Sequence, residues 1–383
     1  MKKIVIASAV SALFAAPATV LAQAKPPAAP TLDKVLEASG ISVSGYIDAG
    51  YTHSDKDQSQ FTTRVFDTQN NSFGLNQFGL TVAKQPKEGF GGLVNLTVGR
   101  DAQFIHSFPE TSGPTSASSM FDVTQGYLQY ASGPLTVIAD KFTTLHGTEV
   151  IASTGNTNIS RSMLFGAVPF THTGVRATWA LSDTVSLMAG VNNGWDQLSD
   201  ANKGKTAELG ATLNPIKPLS ITVSGYSGQE SAVATGAANP AGAQGTRTSL
   251  NAVASYTILE PLSVGAEVLS VSQDNAGGTG TTAKYNGIAG YVTYMFTPKL
   301  RGVIRVESFD DKNGFHFAPA AIPAGSDTKY KEVTATASFL ASDSFEARAE
   351  VRRDQANNAV FFDSTGATSK NMSSVALQGL YKF

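Results

Sequence analysis

From Ser42 onward the sequence repeats one pattern, a stretch of about 10–13 residues that alternates apolar and polar before turn residues interrupt it, and few folds can accommodate that rhythm. In 344–352, Phe345, Ala347, Ala349 and Val351 fall on one side, while Glu346, Arg348, Glu350 and Arg352 fall on the other. In 300–307, Leu300, Gly302, Ile304 and Val306 alternate with Arg301, Val303, Arg305 and Glu307. In 206–213, Ala207, Leu209, Ala211 and Leu213 alternate with Thr206, Glu208, Gly210 and Thr212. Successive side chains of a strand point to opposite faces, so each stretch reads as a strand with one greasy face and one polar face. A soluble sandwich hides such faces between two sheets. Here only 15% of residues are charged, against roughly 25% in soluble domains. Lipid is therefore the better cover for the greasy side.

Sixteen such stretches are legible: 42–53, 72–85, 91–102, 120–131, 134–142, 169–180, 183–193, 204–213, 218–228, 247–258, 261–272, 284–296, 298–309, 329–340, 343–354 and 371–383. Every second connection is short and marked by Pro, Gly or Asp, such as Pro86 to Gly89 and Asn214 to Lys217. The others are long: 54–71, 103–119, 143–168, 194–203, 229–246, 273–283, 310–328 and 355–370. Short periplasmic turns alternating with long outer loops are the layout of a transmembrane antiparallel up-and-down β-barrel. In hydrocarbon every backbone N–H and C=O needs an internal partner, so only helices or closed barrels span. After the leader described next, no run of about 20 apolar residues offers a helix. An even strand count leaves both termini on the periplasmic side.

Residues 1–24 read as a secretory signal peptide, with Lys2 and Lys3 as the basic head and Ile4 to Ala16 as the apolar segment. Cleavage after Ala22 or Ala24 fits equally. Residues 25–40 read as a periplasmic spacer followed by a short helix over Thr31 to Ser39. Thr31 or Asp33 would cap it, and Gly40 would stop it. Residues 41–383 form the outer-membrane barrel, so the expected location is the bacterial outer membrane.

Aromatic residues near strand ends suit an interface girdle: Tyr46, Tyr51, Tyr130, Trp179, Tyr226, Tyr256, Tyr294, Phe296, Phe339 and Tyr381. Aromatics also favour strands in general. In the last strand Val375, Leu377, Gly379, Tyr381 and Phe383 alternate toward lipid. A terminal Phe after such a series resembles the assembly signal read by the outer-membrane assembly machinery. The expected surroundings are outer-membrane lipid and lipopolysaccharide.

Zero cysteines remove disulfides, thiolate metal sites and a cysteine nucleophile. The 28 basic and 30 acidic residues provide no basic face for nucleic acid. His53, His106, His146, His172 and His316 lack metal-ligand spacing, and no nucleophile elbow or P-loop is present. No metal, cofactor or enzymatic chemistry is expected. His172 could reach His146 across the intervening loop.

The pieces PFTHTGVRATW (Pro169 to Trp179) and GVNNGWD (Gly190 to Asp196) resemble the β-barrel porin-2 (OmpL-like) family of Gram-negative outer-membrane porins. So do Gly147-Thr148-Glu149 and the opening ISVSGYIDAGYT (Ile41 to Thr52). Asp140 stands where that family commonly has glycine. Strong matching covers about 57 residues, 140–196. The resemblance implies an outer-membrane porin and no particular solute.

A barrel of about sixteen strands is wide enough for an aqueous channel. Alternation sends Asp48, Arg176, Glu208, Glu267, Arg301, Arg305, Glu307, Glu346, Arg348, Glu350 and Arg352 into the lumen as pore-lining residues. Their mixed signs could select solutes or simply pair across neighbouring strands. The third long loop, 143–168, is expected by analogy with other sixteen-stranded porins to fold inward. Glu149 and Arg161 would then line a constriction, with Asn156 and Asn158 nearby; a plain surface loop is the alternative. The expected function is passive diffusion of small hydrophilic solutes, with a homotrimer possible. A transporter for less polar molecules and a non-conducting adhesin or structural barrel are the alternatives.

Overall fold

A computed structural model describes residues 31–57, 63–107, 119–200, 202–233, 242–317, 319 and 321–383. The signal-peptide reading of 1–24 lies outside them. The strands are β1 (Ser42–Ser54), β2 (Ser72–Lys84), β3 (Gly89–Val98), β4 (Phe121–Ser132), β5 (Leu135–Thr143), β6 (Thr171–Ser182), β7 (Val185–Asn192) and β8 (Thr206–Ile216). They continue as β9 (Leu219–Ser231), β10 (Gln244–Leu259), β11 (Leu262–Gln273), β12 (Ala283–Thr297), β13 (Leu300–Asp311), β14 (Thr328–Ser342) and β15 (Phe345–Ala356). A two-stranded flap, β16 (Phe361–Phe362) and β17 (Thr368–Ser369), precedes the final β18 (Asn371–Lys382).

Strands β1 to β15 and β18 form one closed antiparallel barrel of neighbour pairs. The seam joins β1 to β18, with Tyr46 opposite Lys382 and Ser54 opposite Ser374. Closure leaves no sheet edge and gives every wall strand two partners. No described helix is long and apolar enough to cross a membrane. The outer face carries bare hydrophobes: Phe90 is 79% exposed and Leu128 74%. So continuous an apolar belt cannot rest in water, and a bilayer is its natural cover.

Three details depart from the sequence reading. The third strand was expected to run to residue 102, but β3 ends at Val98. Gly99 takes φ 128, which glycine tolerates, and Arg100–Phe104 then turn as a short 3-10 helix. Tyr46 and Tyr226 are not in the girdle. Both are buried inside, where the Tyr46 hydroxyl donates to Gln77 Oε1 at 2.6 Å and the Tyr226 hydroxyl accepts from Leu145 N at 2.8 Å. Thr31 occupies the N-cap of α1 (Leu32–Ser39) without any capping side-chain bond, and Gly40 ends the helix at φ 68.

Asp140 adopts φ 107, in the left-handed half of backbone space that penalises any side chain. Replacing it with glycine removes that penalty. Asp140→Gly should therefore raise unfolding stability by about 1–2 kcal/mol, read as a shift in the urea midpoint of refolded protein. An unchanged or lower midpoint would show that the aspartate is not strained.

Candidate functional site

The 144–170 segment between β5 and β6 crosses the inside of the barrel. Its partners lie on strands that surround it. On β1, Asp48 Oδ2 accepts from Ser153 Oγ at 2.6 Å; on β2, Gln77 Oε1 accepts from Ser153 N at 3.1 Å. On β9 and β10, Ser224 and Ser249 bond the two ring nitrogens of His146 at 2.7 and 2.8 Å. On β11, Glu267 Oε2 accepts from Thr148 N at 2.9 Å. On β14, Thr336 Oγ1 accepts from Asn158 Nδ2 at 2.7 Å. A segment can touch all these strands only from within.

Carboxylates of the wall hold the loop backbone. Glu307 accepts from Met163 N and Leu164 N at 2.8 and 2.7 Å, which caps the one-turn helix α2 (Met163–Gly166). Glu350 accepts from Ile159 N and Ser160 N at 2.7 and 3.0 Å. Asp196 takes Phe170 N and Thr171 N at 2.7 and 2.9 Å where the loop rejoins β6. Burial pushes the Asp196 carboxyl up to about 7 despite those two donors. Each carboxyl accepts two backbone N–H groups at once, so these anchors fix an otherwise orphaned backbone.

Apolar contact completes the seat. Met163, Leu164, Ala167 and Val168 pack on Leu269, Val271, Tyr285, Ala289, Tyr291 and Phe309 of β11 to β13. A Cβ on Gly287 would lie 2.5 Å from Leu164 Cδ1, so any larger residue there would push the Leu164 side chain aside.

The charged residues of the inner face are mostly covered. Asp48, Arg176, Glu208, Glu267, Arg305, Glu307, Glu346, Arg348, Glu350 and Arg352 are buried, and Arg301 is half-buried. Most are paired. Arg305 Nη1 meets Glu149 Oε1 at 2.6 Å and its Nε meets Glu332 Oε2 at 3.0 Å. Arg176 Nη2 donates to Glu208 Oε2 at 2.9 Å. Arg348 Nε meets Glu346 Oε1 at 2.6 Å, and Arg301 bonds the same carboxylate. Arg352 Nη2 meets Asp354 Oδ1 at 2.7 Å.

The constriction quartet behaves differently from expectation. Glu149, Asn156, Asn158 and Arg161 lie inside the barrel, but all are buried and turned into the loop or the wall. Arg161, 2% exposed, donates to the carbonyls of Val150, Ile151 and Ile159 at 3.0–3.1 Å. Asn156 bonds Val150 and Ala152. Asn156, Asn158 and Arg161 shape the loop from within, while Glu149 borders the open cavity described below. Burial pushes the Glu149 carboxyl up, and Arg305 and Arg161 beside it outweigh that and hold it below its ordinary value.

Open space remains on the other side of the loop. A cavity of about 330 Å³ lies between it and the β1–β5 wall. Thr81, Asn95, Thr97, Thr124 and Gln125 line the wall side; Leu145 to Gly147, Glu149 to Ala152, Phe165 and Val168 to Phe170 line the loop side. His146 also borders it. Burial, with His172 nearby, lowers its imidazole to about 3, so it carries no charge at neutral pH. The His146 and His172 rings do not meet; both pack on Tyr226, at centroid distances of 4.6 and 4.4 Å. Among the described residues no cluster could hold a metal. Sequence reasoning missed Gln77, Ser224, Ser249 and Thr336 as loop partners, all neutral groups, and also Asp196 in the β7–β8 connection.

Such a closed sixteen-stranded barrel with a loop folded into its lumen defines a porin of the outer membrane. The pattern of the family described as Putative beta-barrel porin-2, OmpL-like, matches residues 40–383, and the chain belongs to that family. Solved structures share the fold at low identity. An anion-selective porin from Comamonas acidovorans superposes with a TM-score of 0.62 at 11% identity, covering 90% of this chain and 99% of that one. The outer membrane channel DcaP of Acinetobacter baumannii gives 0.60 at 14%, covering 90% and 97%. OmpT of Vibrio cholerae in its trimer form gives 0.59 at 12%, covering 90% and 99%. No match was found among curated protein sequences.

Proposed function

We propose that this porin passes small hydrophilic solutes by passive diffusion through the gap between the inserted loop and the β1–β5 wall. It does no chemistry, and flux follows the gradient. The observation that carries this reading is the cavity beside a loop pinned at many points, with hydroxyl and amide groups along its wall side. Hydroxyl and amide groups exchange hydrogen bonds with passing solutes without holding them. Selectivity by charge needs rings of one sign. Here the inner charges are covered or paired, so the channel discriminates weakly between small cations and anions.

In this reading residues 1–24 direct export and are removed. The series Leu377, Gly379, Tyr381 and Phe383 is read by the assembly machinery, and the finished barrel sits among outer-leaflet lipids, lipopolysaccharide included. A homotrimer fits the precedent of OmpT, which has a trimer form.

Planar-bilayer recording of refolded mature protein tests the proposal. Ohmic single-channel steps are expected, with a reversal potential near zero in a tenfold salt gradient and permeation by sugars and amino acids. A barrel without conductance would overturn it, as would strong preference for one ion sign.

A further inference from the structure

Outward-facing residues on β12 to β18 form two zones. The lower zone is apolar: Val306, Val333, Val351 and Val375 are all about half exposed at one level. Two residues further toward the long-loop end, the same outward faces carry Lys331 on β14 and Arg353 on β15. Lys329 lies one step beyond, and Lys284 stands on β12. All four are exposed. The register sets Lys331 opposite Gln355 and Val333 opposite Arg353, so Lys331 and Arg353 are diagonal neighbours, about 7–8 Å apart at their Cα atoms. Among the described residues neither has an ion-pair partner; Arg353 Nη2 donates only to Asn371 Oδ1, at 3.3 Å. Two carboxylates stand nearby: Asp310 opposite Lys329, and Asp55, whose Oδ1 accepts from Ser373 N at 2.7 Å. On β9 to β11 the corresponding rim is neutral, with exposed Ser227, Thr248 and Ser270.

Beneath Arg353 the outer wall is furrowed. One groove of about 520 Å³ is lined by Val333, Ala335, Val351, Arg353, Val375 and also Asp55. A second, of about 680 Å³, continues from Ala335, Val351 and Val375 down to Tyr294 and Phe296. Gly302, Ala335, Ala337 and Ala349 make its floor shallow-walled, while Phe296 and Leu377 stand high on its flanks.

We propose that this furrow is a binding site for a phosphorylated lipid of the outer leaflet, with the phosphate on Lys331, Arg353 and Lys329 and an acyl chain along the groove. The chemistry matches at both ends. Arg presents a planar fork to phosphate oxygens and Lys a mobile point charge, at the height where headgroups meet the hydrocarbon. The groove removes an acyl chain from competition with bulk lipid by shape alone, through close van der Waals contact. Basic clusters directly above an apolar belt recognise anionic headgroups by charge.

The test uses the full mature chain refolded in a neutral detergent, with native mass spectrometry as readout. The probes are bisphosphorylated lipid A, the same lipid with its phosphates removed, and inorganic phosphate. Lipid A should remain bound to the wild type. Removing its phosphates, or substituting Lys331→Gln with Arg353→Gln, should weaken binding at least tenfold. Ala335→Phe, which fills the groove without touching the charges, should weaken it similarly. Inorganic phosphate alone should not bind. Resistance of the barrel to detergent denaturation confirms that each variant is folded. Binding indifferent to the two cations or to the phosphates overturns the proposal, as does tight binding of inorganic phosphate. Loss of an oligomer in Ala335→Phe with lipid binding intact also overturns it, because the furrow would then seat a second copy of the chain.

Discussion

Replacing Glu307 and Glu350 together with alanine should open the channel, raising single-channel conductance at least twofold. Each carboxylate takes two backbone N–H groups of the inserted loop. Removing both leaves four buried donors without acceptors, at roughly 1–3 kcal/mol each. The loop keeps its apolar seat on β11 to β13, but that seat positions α2 through the bonds to Glu307. Release into the vestibule lets water satisfy the freed donors, so the open arrangement gains exactly the groups that the closed one lost. The wall ladders make no use of either carboxylate, and β content should stay constant by circular dichroism. Trypsin provides an independent reading. Arg161 is 2% exposed in the native loop and should become a cleavage site in the double variant. Unchanged conductance together with a protected Arg161 would show that the loop is held by its apolar contacts alone.

The barrel itself was legible because alternation is a direct imprint of a wall between oil and water. All sixteen expected stretches correspond to barrel strands, and the errors are local. Residues 99–102 read as strand in the sequence because nothing in their pattern signals the turn at Gly99. The two misplaced tyrosines could have been placed. Tyr46 shares parity with Asp48, and Tyr226 with Ser224, so the same rule that sends Asp48 inward sends Tyr46 inward too. Where proximity to a strand end and parity disagree, parity decides the face. The inserted loop is a different case. Alternation says which face a residue takes and nothing about what covers that face. Whether Glu350 would meet water or a backbone N–H depends on contacts across 190 residues of sequence, and no local pattern carries that information.

The same consideration explains the fate of the charged wall. Mixed signs on β13 to β15 permitted either solute selection or pairing across strands. The structure adds a third use, the capture of loop backbone and loop side chains, and it involves the most deeply covered members. Arg305 is the clearest. It is fully buried, joins Glu149 of the loop to Glu332 of β14, and donates to the Ser160 carbonyl at 2.8 Å.

Arg305→Met should therefore cost about 3–5 kcal/mol of unfolding stability at neutral pH, because it strands two buried carboxylates. Lysine should not restore the loss, since one ammonium cannot reproduce a fork that reaches Glu149, Glu332 and Ser160 at once. Adding Glu149→Gln to Arg305→Met should recover part of it by removing one of the stranded charges, a coupling that a double-mutant cycle measures. The pH dependence gives the sharpest discrimination. In the wild type the Glu149 carboxyl is held below its ordinary value, so its contribution is present above about pH 4.5 and is lost as the pH falls through the lowered value. Without Arg305, one of the two cations that offset burial is gone and the carboxyl moves upward from its wild-type value. The folded variant then binds a proton more readily than the folded wild type, so its stability is favoured relative to wild type as the pH falls. The gap between wild type and Arg305→Met should be widest near pH 7 and narrow toward pH 4.5, measured by urea unfolding at the two values. A gap of equal size at both would mean that Arg305 acts through packing rather than through the charge it holds against Glu149.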